Sequence, residues 1–188
     1  MLPKPFSALP AKLLTLQEVS SGEAVFAMGE KPTGFFYVIE GEFHLLRNTE
    51  AGDPAVIHRA YTGEFFAEAS LFSDTYHCIA EAKANTRLIK IDREGTLNFM
   101  TTNARFSNDL SAYLARQVQS YRSLIEVRSI RSAEERVLAA VADGWLKGSV
   151  VSFATQIGLT HEATYRALSS LVRRNVLKRT GRGQYNLV

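Results

Sequence analysis

The chain has 188 residues, 46% of them hydrophobic, and a formal net charge of +3 at pH 7, which is typical of a globular protein with one large or two small domains. No apolar run approaches the roughly 20 residues that span a bilayer, and the first residues lack a signal peptide's apolar stretch, so we expect a cytoplasmic protein without membrane contact. The single cysteine, Cys78, excludes an internal disulfide and an iron–sulfur cluster held by several cysteines of one chain.

Residues 1–105 predict a domain of short strands. Turn residues such as Glu40-Gly41 and Thr62-Gly63 separate six strand-forming segments. These segments are residues 24–27, 34–39, 42–47, 55–60, 77–82 and 87–91. Their spacing is typical of a sandwich or barrel with a jelly-roll path, so we predict a β-roll within an α+β protein.

Residues 106–131 predict one long helix, because no Gly or Pro interrupts it and apolar residues recur every three or four positions. A helix of this length is hard to bury in a small protein, whereas two copies side by side hide its apolar seam. We therefore predict a homodimer, the alternative being that the helix packs on its own β-roll. The predicted dimerisation residues are Leu110, Leu114, Val118, Tyr121 and Ile125.

Residues 132–188 predict a winged helix-turn-helix. A capping box at residues 132–135 begins one helix, whose buried stripe is predicted to include Trp145 and Leu146. Two further helices meet at a tight turn at Gly158, and the second begins at Thr160. A short hairpin with a basic tip follows, in the position where a wing contacts phosphates.

The predicted function of this last segment is the binding of double-stranded DNA. It carries eight basic and four acidic residues, whereas residues 1–131 carry fourteen and fifteen, so the positive charge coincides with the motif. The alternative is a helical hairpin used only for packing. The predicted DNA contacts are Thr160, His161, Glu162, Thr164, Tyr165, Arg166 and Ser169 on the second helix, with Lys178, Arg179 and Arg182 on the hairpin.

Four segments in this order resemble the family of the cyclic-AMP receptor protein and the fumarate-nitrate regulator (CRP/FNR). They are residues 22–29 (GEAVFAMG), 36–41 (FYVIEG), 63–72 (GEFFAEASLF) and the helix-turn-helix. The resemblance covers nearly the whole chain. It implies a transcription regulator that senses an effector in its β-roll, binds an operator as a homodimer and contacts RNA polymerase.

The resemblance also implies an effector pocket formed by Glu68, Ala69, Ser70, His77 and Cys78. In the family's cyclic-nucleotide binders this segment is a phosphate-binding cassette, in which a Glu takes the ribose hydroxyl and an Arg pairs with the cyclic phosphate. Glu68 is retained, Ala67 replaces the usual Gly, and His77-Cys78 replaces Arg-Ser. Losing the arginine costs roughly 1.5–3 kcal/mol, so cyclic AMP is not the expected ligand. His77 fits a structural role in the β-roll equally well.

The resemblance assigns base contacts to His161, Glu162 and Arg166. Glu accepts from cytosine N4 and Arg forks onto guanine, while His161 replaces the family's usual first Arg, which places the usual half-site in doubt. The competing hypotheses are a ligand-binding module without DNA function and a cupin-like enzyme. We expect no cofactor or metal, since no His-x-His pair occurs and nothing in the spacing of His44, His58 and His77 indicates haem.

Overall fold

The computed structural model describes residues 2–50, 52–146 and 149–188. The chain forms two compact units, one ending at Tyr113 and one starting at Leu114. The division falls inside a single helix of 26 residues, α2 (Ala104–Ser129), which follows the short helix α1 (Arg93–Thr102). α2 is the long helix that the sequence predicts, and its ends lie within two residues of those expected.

Two four-stranded antiparallel sheets form the first unit. The strands are β1 (Leu14–Val19), β2 (Ala24–Phe26), β3 (Gly34–Glu40), β4 (Glu42–Asn48), β5 (Pro54–Tyr61), β6 (Phe65–Phe66), β7 (Ile79–Ala82) and β8 (Thr86–Asp92). One sheet has the order β1-β8-β3-β6 and the other has the order β2-β7-β4-β5. Phe36 and Leu88 of the first sheet share a buried cluster with Phe43 and Ala80 of the second, so the sheets pack face to face. The six predicted strands are present, each within two residues of its expected ends.

The prediction lacks β1, β6 and α1, as well as two short 3-10 helices near the N-terminus, Phe6–Ala8 and Ala11–Leu13. β1 lies at the edge of its sheet with Leu16 exposed, so its apolar residues do not mark a buried face. β6 has two residues, which is too short for an alternating pattern. α1 begins directly after β8, at Asp92, whose carboxylate accepts a hydrogen bond from the Gly95 amide at 2.6 Å.

Four helical segments and a strand pair form the second unit. After the C-terminal part of α2 come α3 (Ala133–Ala142), α4 (Val150–Ile157), α5 (His161–Arg173), β9 (Leu177–Gly181) and β10 (Gln184–Leu187). Val127 of α2, Val137 of α3, Phe153 of α4, Leu168 of α5 and Leu177 of β9 belong to one buried cluster. Every helix of this unit and β9 therefore share a single core.

α3 is shorter than predicted. The side chain of Ser132 accepts a hydrogen bond from the Glu135 amide at 3.3 Å, as expected for a cap, but the helix ends at Ala142. Gly144, at φ +71°, turns the chain there. Trp145 and Leu146 therefore follow the helix instead of extending its stripe, which corrects the prediction, and they pack half-buried against the cluster.

The apolar seam of α2 is only partly exposed. Leu110 is 1% exposed, so, contrary to the prediction, it does not line an open seam. Leu114 is half-buried, while Val118, Tyr121 and Ile125 are 48%, 53% and 69% exposed. None of the helices in the described part of the chain has the length and hydropathy to cross a membrane.

Candidate nucleic-acid interface and effector site

The segment α4–turn–α5 presents a rigid polar helix face. Gly158 adopts φ +69° and ends α4, a left-handed conformation that residues with a Cβ rarely adopt. The Thr160 hydroxyl then caps α5 by accepting a hydrogen bond from the Ala163 amide at 3.1 Å. One face of α5, including Leu168 and Leu171, is buried, which fixes the opposite face toward solvent. That exposed face carries His161, Glu162, Tyr165, Arg166 and Ser169.

Thr164 does not belong to this exposed face. Its side chain is fully buried, and its hydroxyl donates to the Thr160 carbonyl at 3.0 Å. The residue lies four positions after the cap and points toward the core, where a Thr satisfies its own hydroxyl by bonding to the preceding turn. The prediction that Thr164 contacts DNA is therefore inconsistent with its position.

An open groove of about 580 Å³ runs between the start of α3 and α5. Arg166, Ser169 and Arg173 line one side, and Glu134 lines the other. Glu134 accepts a hydrogen bond from Arg174 at 2.7 Å, so its charge is already paired. The groove therefore offers two cationic side chains and a hydroxyl, the groups that bind phosphate oxygens.

The β9–β10 pair carries the predicted basic residues in exposed positions. Lys178, Arg179 and Arg182 are all exposed. Arg179 donates from Nε to the Gly181 carbonyl at 3.2 Å, which braces the turn of the hairpin. Lys147, another basic residue of this segment, lies outside the described residues.

The five predicted pocket residues lie on two short segments. Glu68, Ala69 and Ser70 lie on a 3-10 helix, Glu68–Phe72, which follows Ala67. Ala67 adopts φ +64°, the left-handed conformation that the usual Gly takes without cost. His77 and Cys78 precede β7. They point in opposite directions, because His77 is exposed and Cys78 is buried in the core between the sheets.

One oxygen of the Glu68 carboxylate bonds to the chain itself. The hydroxyl of Tyr113, on α2, donates to Glu68 Oε1 at 2.6 Å. The Tyr113 ring packs edge-on against Phe6 and Phe65, with ring centroids 5.3 Å and 6.2 Å apart. The sequence analysis missed Tyr113, since a contact between residues 45 positions apart leaves no periodic pattern.

Two arginines outside the cassette lie near it, since Arg93 donates from Nε to the Ser70 carbonyl at 3.2 Å and from Nη2 to the Ser73 carbonyl at 3.3 Å, and the charge of Arg47 acts on Cys78. Burial raises the pKa of the Cys78 thiol, and the Arg47 cation lowers it to a smaller extent, so the thiol is protonated at neutral pH. His44 bonds to Glu42 at 2.6 Å on β4. Within the described ranges, no three His, Cys, Asp or Glu side chains come together in a way that could hold a metal ion.

Comparison with known proteins identifies the first unit. Residues 16–103 match the family described as "Cyclic nucleotide-binding domain". The chain therefore contains a domain of the cyclic nucleotide-binding class, followed by the helical unit.

The same comparison extends to whole proteins. The cyclic AMP receptor protein of Thermus thermophilus is 24% identical over 165 residues, 84% of this chain and 76% of that protein. Among solved structures, FixK2 from Bradyrhizobium japonicum is 20% identical with a TM-score of 0.65, covering 93% of this chain and 92% of that one. The c-di-GMP responsive regulator CLP of Xanthomonas campestris is 19% identical with a TM-score of 0.59, covering 94% of both chains. Residues 16–103 therefore belong to the cyclic nucleotide-binding domain family, and the whole chain shares its fold with these proteins.

Proposed function

We propose that the protein is a transcription regulator that binds double-stranded DNA in a sequence-specific manner through a winged helix-turn-helix. The observation that carries this proposal is the capped helix α5, whose buried face fixes His161, Glu162 and Arg166 on an exposed one. A helix held in this way fits the major groove, with its N-terminal residues toward the base edges. Arg166 then binds guanine O6 and N7, and Glu162 accepts from cytosine N4.

Phosphate contacts position the helix in this proposal. The exposed Lys178, Arg179 and Arg182 of the hairpin lie on the wing, and Arg173 and Ser169 line the groove beside α5. These residues contribute affinity without sequence preference, because every phosphate offers them the same oxygens. Thr160 lies exposed at the N-terminus of α5, next to the proposed DNA contacts. Its hydroxyl oxygen accepts a hydrogen bond from an amide of α5.

The active form in this proposal is a homodimer. Val118, Tyr121 and Ile125 form an exposed apolar seam over two turns of α2, and a second copy of the same helix would cover it. A two-fold axis along α2 sets the two α5 helices about 34 Å apart, one turn of DNA, and implies a near-palindromic operator. A regulator of this kind works in the cytoplasm and, as the family implies, together with RNA polymerase.

The first unit, in this proposal, does not respond to cyclic AMP. Its cassette lacks the arginine that pairs with the cyclic phosphate, and Tyr113 already bonds to Glu68, the residue that the family uses for the ribose. CLP, which has a similar fold, responds to cyclic di-GMP, so proteins of this fold differ in the ligand to which they respond. Any effector of this chain must use contacts other than those made to cyclic AMP.

Selection of bound sequences from a random DNA library, followed by gel-shift titration, tests the proposal. Arg166→Ala should weaken binding to the selected operator by about 1–3 kcal/mol and relax the preference at one base pair, because a bidentate guanine contact is lost. Arg182→Ala is the matched control, since it should weaken binding to selected DNA and to random DNA to a similar extent. Equal losses for both DNAs in Arg166→Ala would show that Arg166 contacts only phosphate.

A further inference from the structure

Two arginines from neighbouring helices bind the C-terminal end of α4. Arg128, near the end of α2, donates from Nε to the Gln156 carbonyl at 2.9 Å and from Nη2 to the Thr155 carbonyl at 3.4 Å. Arg136 of α3 donates from Nη1 to the carbonyls of Gly158, at 3.2 Å, and Ile157, at 3.4 Å. The last carbonyls of a helix lack partners within the helix and carry its negative dipole end. The arginine pair, Arg128 and Arg136, therefore stabilises the turn that joins α4 to α5.

The side chain of Arg128 also covers this turn. A Cβ placed on Gly158 would lie 3.7–3.9 Å from Nε, Cγ and Cδ of Arg128. The aliphatic stem thus packs over the glycine while the guanidinium binds the carbonyls, so the side chain is held at both ends. Arg136 makes the complementary contact, since its Nε donates to the carbonyl of Ile130, directly after α2, at 2.9 Å.

The contacts of Arg128 connect α2 directly to the end of α4, without passing through the linker between α2 and α3. The chain passes through residues 130–132 before α3 begins, and such a short non-helical segment absorbs rotation easily. Val127 of α2 joins the buried cluster of the second unit, but an apolar contact tolerates sliding because it has no preferred direction. Arg128 supplies directional bonds from α2 to the turn ahead of α5.

We propose that Arg128 is a positioning residue, which fixes the direction of α5 relative to α2 and thereby the distance between the two reading helices of a dimer. The proposal rests on the proposed DNA-binding function. It assigns to Arg128 no contact with bases. Arg128 instead determines how strongly the protein prefers one spacing between the two half-sites over other spacings.

Arg128→Met tests this assignment, because methionine keeps an apolar stem and loses all guanidinium donors. Arg116→Met is the control, since Arg116 is exposed on the face of α2 opposite the seam and its replacement removes the same charge. The operator affinity of Arg128→Met should fall about tenfold, and that of the control less than threefold. Arg128→Met should also lose most of the preference for the selected spacing over spacings changed by one base pair. An unchanged spacing preference would overturn the proposal.

Hydrogen exchange of the free protein gives a readout that needs no DNA. The amides of Gly158 and Leu159 bond to the Thr155 and Ala154 carbonyls at the end of α4, so they report opening of the turn. Their exchange should be about tenfold faster in Arg128→Met and unchanged in Arg116→Met. Normal protection in Arg128→Met would refute the positioning role. A wild type that selects no DNA sequence would refute the proposed function instead.

Discussion

The hydrogen bond between Tyr113 and Glu68 allows a quantitative test of the cassette. Tyr113→Phe removes one hydroxyl and keeps the ring that packs against Phe6 and Phe65. At 2.6 Å the bond to a carboxylate is short and charge-assisted, a type that contributes roughly 1.5–3 kcal/mol. Both side chains are half-buried, so solvent screening favours the lower end of that range, about 1.5 kcal/mol.

Urea denaturation of a double-mutant cycle measures this contribution. The cycle compares wild type, Tyr113→Phe, Glu68→Met and the double variant, and it separates the pair from other contacts of either side chain. We expect a coupling free energy of about 1.5 kcal/mol, with the double variant more stable than the sum of single changes implies. Tyr61→Phe, an exposed residue of the same unit, should change stability by less than about 0.5 kcal/mol. A coupling below about 0.5 kcal/mol would show that Glu68 is not held by Tyr113 in solution.

Two further predictions concern Ala67 and the seam of α2. Ala67→Gly should raise the free energy of unfolding by about 0.5–1 kcal/mol because it relieves a left-handed backbone, whereas Ala69→Gly on the adjoining 3-10 helix should lower it, both measured in urea. Ile125→Glu should convert the proposed dimer to monomers in analytical ultracentrifugation at micromolar concentration, while Arg116→Glu, on the opposite face of α2, should not. A wild type that sediments as a monomer would contradict the dimer.

The sequence predicts those parts of the fold that depend on local pattern. The caps at Ser132 and Thr160 and the turn at Gly158 follow from short-range chemistry, and all three are present. The predicted end of α3 is wrong because Gly144 stops the helix before an apolar pair that could have continued its stripe. The prediction that Thr164 contacts DNA is inconsistent with its burial. A polar residue that bonds to its own helix can face the core.

Contacts between distant residues could not be predicted in this way. Tyr113 reaches Glu68 and Arg128 reaches the end of α4 only after tertiary packing brings them together, and neither pair has a characteristic spacing. Sequence reasoning could place these polar groups on the correct element. It could not identify the partner of each group. The partner of Glu68 changes the conclusion about ligand binding. Glu68 is retained from the cassette, but its bond to Tyr113 competes with a bond to a ligand.

The availability of Glu68 bears directly on which ligands the first unit can hold. Under the proposed function a cyclic nucleotide meets two deficits, the absent arginine at its phosphate, roughly 1.5–3 kcal/mol, and at its ribose a Glu68 carboxylate with one oxygen already bonded to Tyr113, about 1.5 kcal/mol at most. Added as independent contributions of two different ligand groups, they weaken binding by about a hundred- to a thousandfold. A site that would otherwise bind in the micromolar range then binds near millimolar. Restoring the arginine alone leaves the second deficit in place, because Tyr113 still bonds to Oε1 of Glu68.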